Sequence, residues 1–224
     1  MIKVQRYKAF TLAEVLITLG VIGIIAALTI PTLMKNYQKM QYYTAFQKGY
    51  AEVTLIVQDL VLENGDMAGA ISEYGGLTNA FKAKVKNAKF CENGTMVGEC
   101  MSSDMKHIDG QDDPPGFDSY DRLTLMDGVS MAIQGVDDNC EWAVGNMTDA
   151  CGAIYMDTNG IKRPNQLGRD MFFFMLTNKK LVPYGAPGSG IQEWLYWYCN
   201  PDITDPNSGV SCAQRLLQDG KMDY

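Results

Sequence analysis

From Val15 to Ile30 the chain runs for sixteen residues without a charge. Adding Phe10 to Leu12 brings the apolar stretch to about 20 residues, the length that crosses a bilayer as a helix. One acid, Glu14, interrupts it. A carboxylate in a membrane helix is costly, about 2.5–3.5 kcal/mol near the helix centre and less toward an end, so Glu14 needs a partner. Lys3, Arg6 and Lys8 precede the segment with no acid among them.

A basic leader before an apolar run also describes a secretory signal peptide. Such a signal would be cut after the run at small residues, but Ala26 and Ala27 lie inside it and Thr-Ile-Pro-Thr-Leu reads on as helix. A plain signal anchor leaves Glu14 unexplained, unless that side chain merely snorkels to the interface.

The string Ala9-Phe10-Thr11-Leu12-Ala13-Glu14 resembles the class III signal of type IV pilins and type II secretion pseudopilins. The resemblance implies cleavage between Ala9 and Phe10 by a membrane-bound prepilin peptidase and N-methylation of Phe10. It makes Glu14 the fifth residue of the mature chain and an assembly residue. Gly23 and Pro31 fall where the family has its helix-softening residues; Ala9 departs from the family, which usually has Gly there. In a bundle of parallel helices, the amine at Phe10 of one subunit would pair with Glu14 of a neighbour, satisfying two groups that hydrocarbon leaves bare. Small residues such as Gly20, Gly23, Ala26 and Ala27 would allow close helix approach.

The expected organisation is a leader over 1–9, a transmembrane helix over 10–31, an extramembrane helical half over 32–64 and a globular head over 65–224. Pro31 should kink the helix rather than end it. Tyr43, Phe46, Tyr50, Val53, Val57, Leu60 and Val61 recur at three- and four-residue steps, so this half packs an apolar face on the head. From Phe10 to Asn64 the helix would measure about 82 Å, with Gly65 as its stop. Removing the three leader cations takes the formal charge from −7 to −10, which argues against direct nucleic-acid binding.

All six cysteines follow the anchor, at 91, 100, 140, 151, 199 and 212. An even count beyond a membrane anchor suggests disulfides in an oxidising compartment. Cys91–Cys100, Cys140–Cys151 and Cys199–Cys212 are the most economical of the fifteen possible connectivities; free buried thiols remain open. Zinc is poorly supported, since there is no C-x-x-C spacing and His107 is the single histidine.

In the head, 65–76 reads as a glycine-rich connection, 77–90 as a short basic helix, and 91–121 as a solvated acidic loop with Pro114-Pro115. Strands are expected over 122–126 and 129–134, joined by a type I′ turn at Asp127-Gly128, and over 153–157, 171–177 and 181–184. The fold class is α+β, a pilin-like arrangement of a long N-terminal helix on an antiparallel sheet of four or five strands. The segment 157–174 is similar to a D-x-N-G…P-N…G-x-D-x-F-x-F stretch of pseudopilin-like sequences. Major pseudopilins bind calcium in a late loop, so the resemblance implies a possible structural calcium at Asp157, Asn159 and Asp170, whose oxygens are hard donors. The same residues are also ordinary turn formers. The aromatic stretch 191–198 is expected in the core, as a last strand or buried helix, and 213–224 adds a short helix.

No Walker loop, G-x-S-x-G or H-E-x-x-H occurs, so an enzyme is not expected. The resemblance implies a structural filament subunit held by lipid in the bacterial inner membrane as a single-pass protein. Its head would be extracytoplasmic, in a periplasmic pseudopilus or a cell-surface filament. Its partners would be copies of itself, other (pseudo)pilins, prepilin peptidase and the inner-membrane assembly platform. Alternatives are a minor pilin that adheres through the Cys199–Cys212 loop or serves DNA uptake, and a monomeric anchored binding protein that keeps its leader.

Overall fold

The computed structural model describes residues 11–92, 99–112 and 119–224. The cleavage pair Ala9 and Phe10, and the Pro114-Pro115 part of the acidic loop, lie outside them. Contacts divide the chain into an N-terminal unit ending at Lys39 and a second unit, Met40–Tyr224.

Helix α1 spans Leu12–Asn64 and contains Pro31 in its interior. From Leu12 to Lys39 none of its residues is buried. In the second unit α1 turns Phe46, Gly49, Val53, Val57 and Leu60 inward. The three- and four-residue steps put these on one face, and Tyr43, Tyr50 and Val61 border it. Gly65, at φ 85°, follows the last turn.

Two short helices succeed it: α2 (Met67–Tyr74), where a connection was expected, and α3 (Leu77–Lys84), the expected short basic helix, which ends before residue 90. Asp66 caps α2 by accepting the Gly69 N–H at 2.8 Å, and Gly75 ends it in the left-handed region. Met67, Ala70 and Ile71 are buried against α1 and the sheet, which repays the ordering of a glycine-rich segment.

The sheet has seven antiparallel strands instead of four or five: β1 (Lys89–Cys91), β2 (Asp121–Thr124), β3 (Ser130–Gly135), β4 (Trp142–Val144), β5 (Met147–Asp157), β6 (Met171–Thr177) and β7 (Leu181–Pro183). Their order is β1-β2-β3-β5-β6-β7, with β4 paired to the first half of β5. The additional strands, β1 and β4, are three residues each, too short for an alternation to register in sequence. The β2–β3 turn is not type I′. Leu125 accepts from Gly128 N and donates to Val129 O, giving a three-residue loop in which only Gly128 takes positive φ.

Leu123, Met131, Ile133, Ile154, Met156, Phe172, Phe174 and Leu176 pack toward the helices. The Phe46 and Phe172 rings approach to 4.5 Å, and Tyr50 stacks on Phe174 at 5.6 Å. The opposite face, with Ala132, Tyr155, Met171 and Phe173, is covered by Met101, Met105, Leu167 and Val210. The acidic segment is therefore not simply a solvated loop: Met101 and Met105 close the second face and Ile108 packs with Cys199 and Cys212, while Asp104 and Asp112 stay toward water.

The aromatic stretch is also placed differently. A 3₁₀ turn (Gln192–Trp194) leads into α4 (Leu195–Tyr198), and among Trp194, Leu195, Tyr196 and Trp197 only Leu195 is buried. One short turn has one inward row, and Leu195 with Cys199, four residues on, takes it. Trp194, Tyr196 and Trp197 are left 52%, 50% and 47% exposed. Helix α5 (Cys212–Asp219) closes the chain against the main core through Ala213 and Leu216.

Candidate functional site

The first part of α1 is apolar and exposed. Thirteen large apolar side chains from Leu12 to Met34 are each between 44% and 79% exposed. A face this long and apolar on all sides is suited to lipid or to other helices, not to water. It is the one candidate span among the described residues, long and apolar enough to cross a membrane. Gly23 lies within it with no atom within 4 Å of where a side chain would project, so its backbone is free for close approach.

Glu14 has a local partner. Its Oε2 accepts the Thr11 N–H at 2.8 Å and the Thr11 hydroxyl at 2.9 Å, while Thr11 Oγ1 accepts the Glu14 N–H at 3.2 Å. This is the reciprocal capping box of a helix start, Thr at the cap and Glu three residues on. The Thr-x-x-Glu spacing carried that signal in the sequence, and it adds Thr11 to the residues that matter here. The carboxylate is satisfied within the chain yet exposed, available to exchange Thr11 for another donor.

The three disulfides join Cys91 to Cys100, Cys140 to Cys151 and Cys199 to Cys212, and among the described residues no cysteine is free. Each ties an irregular segment to an element that packs. Cys140–Cys151 holds the β3–β4 connection onto β5, where Val136 and Asp137 also donate to Cys151 O. Cys199–Cys212 fixes α4 to α5, reinforced by Ser211 Oγ donating to Leu195 O at 2.8 Å.

Asp157, Asn159 and Asp170 come together where β5 ends and β6 begins. Antiparallel pairing brings Asp157 opposite Met171, so the loop between them folds back on its own origin. Asp170 Oδ1 accepts Gln166 N at 2.7 Å; its Oδ2 accepts Asn165 N at 2.9 Å and Asn159 Nδ2 at 3.1 Å. Asp157 Oδ1 accepts Asn159 N at 2.9 Å. Both aspartates are fully buried. Burial, then the charge of Asp170, pushes the Asp157 carboxyl well above the ordinary carboxylate range; burial raises Asp170 too, against its amide donors.

The prokaryotic N-terminal methylation motif matches residues 4–30. No curated protein and no solved structure matches the chain. The matched residues include Glu14, Gly23 and most of the unburied apolar face described above. The chain carries, at its N-terminus, the methylation signature of type IV pilins and pseudopilins.

Proposed function

We propose that this protein is a structural subunit of a type IV pilus or type II secretion pseudopilus. One observation carries the reading: the methylation motif coincides with a helix segment whose apolar side chains are exposed among the described residues. A filament core built from such helices covers them. In this reading prepilin peptidase cuts between Ala9 and Phe10, Phe10 is methylated, and the subunit leaves the bacterial inner membrane on an assembly platform to join copies of itself or other (pseudo)pilins. One heterologous interface, repeated, is enough to build such a filament. The role is structural and not enzymatic.

On assembly, the Glu14 carboxylate would trade its Thr11 donors for the Phe10 amine of a neighbour. The two contributions separate by mutation. Glu14→Ala removes cap and carboxylate and should abolish filaments while leaving membrane insertion intact. Thr11→Val removes only the hydroxyl half of the cap, at about 1 kcal/mol, and should still assemble. Filament yield by electron microscopy distinguishes them, and unimpaired assembly of Glu14→Ala refutes the pairing. Mass spectrometry of membrane-extracted protein should find methylated Phe10 as first residue; an intact Met1 would sink the reading.

A second reading is a minor pilin with a binding surface, favoured by the exposed Trp194, Tyr196 and Trp197 beside the Cys199–Cys212 bridge. It predicts a subunit that does not polymerise alone and whose ligand binding is lost in Trp194→Ala/Trp197→Ala.

A further inference from the structure

The turn between α2 and α3 faces the outgoing end of β3 across a cleft of about 660 Å³, apart from both the apolar half of α1 and the exposed aromatic turn. That is room for a small molecule or a few residues of peptide. Glycines keep it open. Gly75 and Gly76 turn the chain at φ 68° and 131°, which side chains rarely allow, and a Cβ on Gly75 would meet no atom within 4 Å. Leu77 and the half-exposed Val136 supply the apolar part of the lining.

The charges around the cleft are unequal. Glu92, Asp121, Asp137 and Asp138 stand against Lys82, the one basic side chain among the described lining residues, for a formal balance of −3. Lys82 is already engaged: its Nζ lies 3.7 Å from Glu92 and 5.3 Å from the centre of the Phe90 ring. Two of the acids are held in place. Asp137 accepts the Asn139 and Glu141 N–H groups at 2.9 and 3.0 Å, and Asp121 Oδ2 accepts the Thr78 hydroxyl at 2.6 Å. These neutral donors fix the two carboxylates without cancelling their charge, and a recess focuses the field they make.

The cleft therefore favours positive charge. Among the described residues no three His, Cys, Asp or Glu side chains converge as metal ligands do, so the charge to be matched is that of an organic cation. Leu77 and Val136 offer a surface for the aliphatic stem of such a cation. Acceptors on a ligand have a place as well. Gly76 precedes α3 and no side chain caps the helix, which leaves first-turn N–H groups for carbonyl oxygens. A peptide brings carbonyls together with a basic side chain; a free polyamine brings none.

We propose that this cleft binds a basic peptide segment of a partner protein, with an Arg or Lys side chain among the carboxylates and backbone carbonyls toward the first turn of α3. The proposal does not rest on the filament reading, since every residue it uses belongs to the second unit and none to the apolar part of α1.

The test is fluorescence anisotropy of the full-length protein in nonionic detergent with dye-labelled, end-blocked hexapeptides. The peptides carry two arginines, two lysines or two glutamates at the same positions. The arginine and lysine peptides should bind, and the glutamate peptide should not. Asp121→Asn/Asp138→Asn keeps an oxygen for Thr78 and should weaken binding about tenfold, the loss expected for two partly screened ion pairs. Asp59→Asn/Asp112→Asn makes the same change in net charge at two exposed acids outside the cleft, and should alter binding by less than about twofold. Should the first double variant fail to fold, Asp138→Lys changes one exposed side chain and must remove most of the binding. Absence of binding by the basic peptides overturns the proposal. So does an equal loss in Asp59→Asn/Asp112→Asn, which would mark general attraction to an acidic protein. Spermidine that competes as well as the arginine peptide, mole for mole, overturns the peptide in favour of a free polyamine.

Discussion

Glu52 sits one helical turn beyond Lys48 on α1, and both face Asp127 in the β2–β3 turn. Lys48 Nζ donates to Asp127 Oδ2, and Asp127 Oδ1 takes the Val129 N–H, which together hold Asp127 below its ordinary range against the effect of burial. Glu52 moves the other way: burial, then the charge of Asp127, raises it, and its Oε2 is buried without a partner among the described residues. The signs therefore oppose. Asp127 supports folding above the carboxylate range and loses that support as pH falls through its lowered value. Ionised Glu52 costs stability at neutral pH, and the cost disappears as pH falls and Glu52 takes a proton. Glu52→Gln should raise the melting temperature at pH 7, and the gain should shrink toward about pH 4. A gain that is constant across that range, or a loss at pH 7, contradicts this account. Lys48 is mostly exposed, so Lys48→Ala alone should cost no more than about 1 kcal/mol.

Among elements, β5 carries the most. It pairs with β6 along its length, with β3 over 152–157 and with β4 before that, and its register shifts between Ala150 and Gly152. The shift presses Gly152 against its neighbour: a Cβ there would collide with the Gln134 carbonyl, whereas a Cβ on its partner Gly135 would meet Leu77 at an ordinary 3.6 Å. Gly152→Ala should therefore destabilise the head by about 1–3 kcal/mol, and Gly135→Ala should be close to neutral, both read by thermal or denaturant unfolding. Much of the element level was readable: the amphipathic half of α1, strands over 130–135 and 171–177, and the α5 segment all carry regular spacings. Helix α2 was obscured by Gly65, Gly69, Gly75 and Gly76, although Asp66 and Gly75 mark its caps. β1 and β4 gave no local signal, because strands of three residues exist only where β2 and β5 offer an edge to pair with.

For the molecule as a whole, the disulfides do what a modest core does not do for loop-rich segments. Cys199 and Cys212 close a loop of thirteen residues in sequence, on which α4, the exposed aromatic turn and α5 all depend. Replacing both with Ser should lower stability by about 3 kcal/mol, a fall in midpoint of about 6–12 °C for a domain of this size. Midpoints within a degree of each other would show that packing of Leu195, Ala213 and Leu216 suffices without the bridge.

What the chain determined by itself is its N-terminal part. The proposed membrane partition and peptidase recognition, like the Thr11–Glu14 cap, depend on contiguous residues at fixed spacings, so the uncharged run, Glu14, Gly23 and the matched motif are all visible in one dimension. Tertiary structure decided the rest, because burial and pairing depend on residues far apart in sequence. It turned Leu195 inward and left Trp194, Tyr196 and Trp197 in water. It drew Met101 and Met105 from an acidic segment over the second face of the sheet. It also set Asp157 apart from Asp170, since only the antiparallel return of β6 against β5 settles which of their oxygens receive backbone N–H groups and which are left without a partner among the described residues.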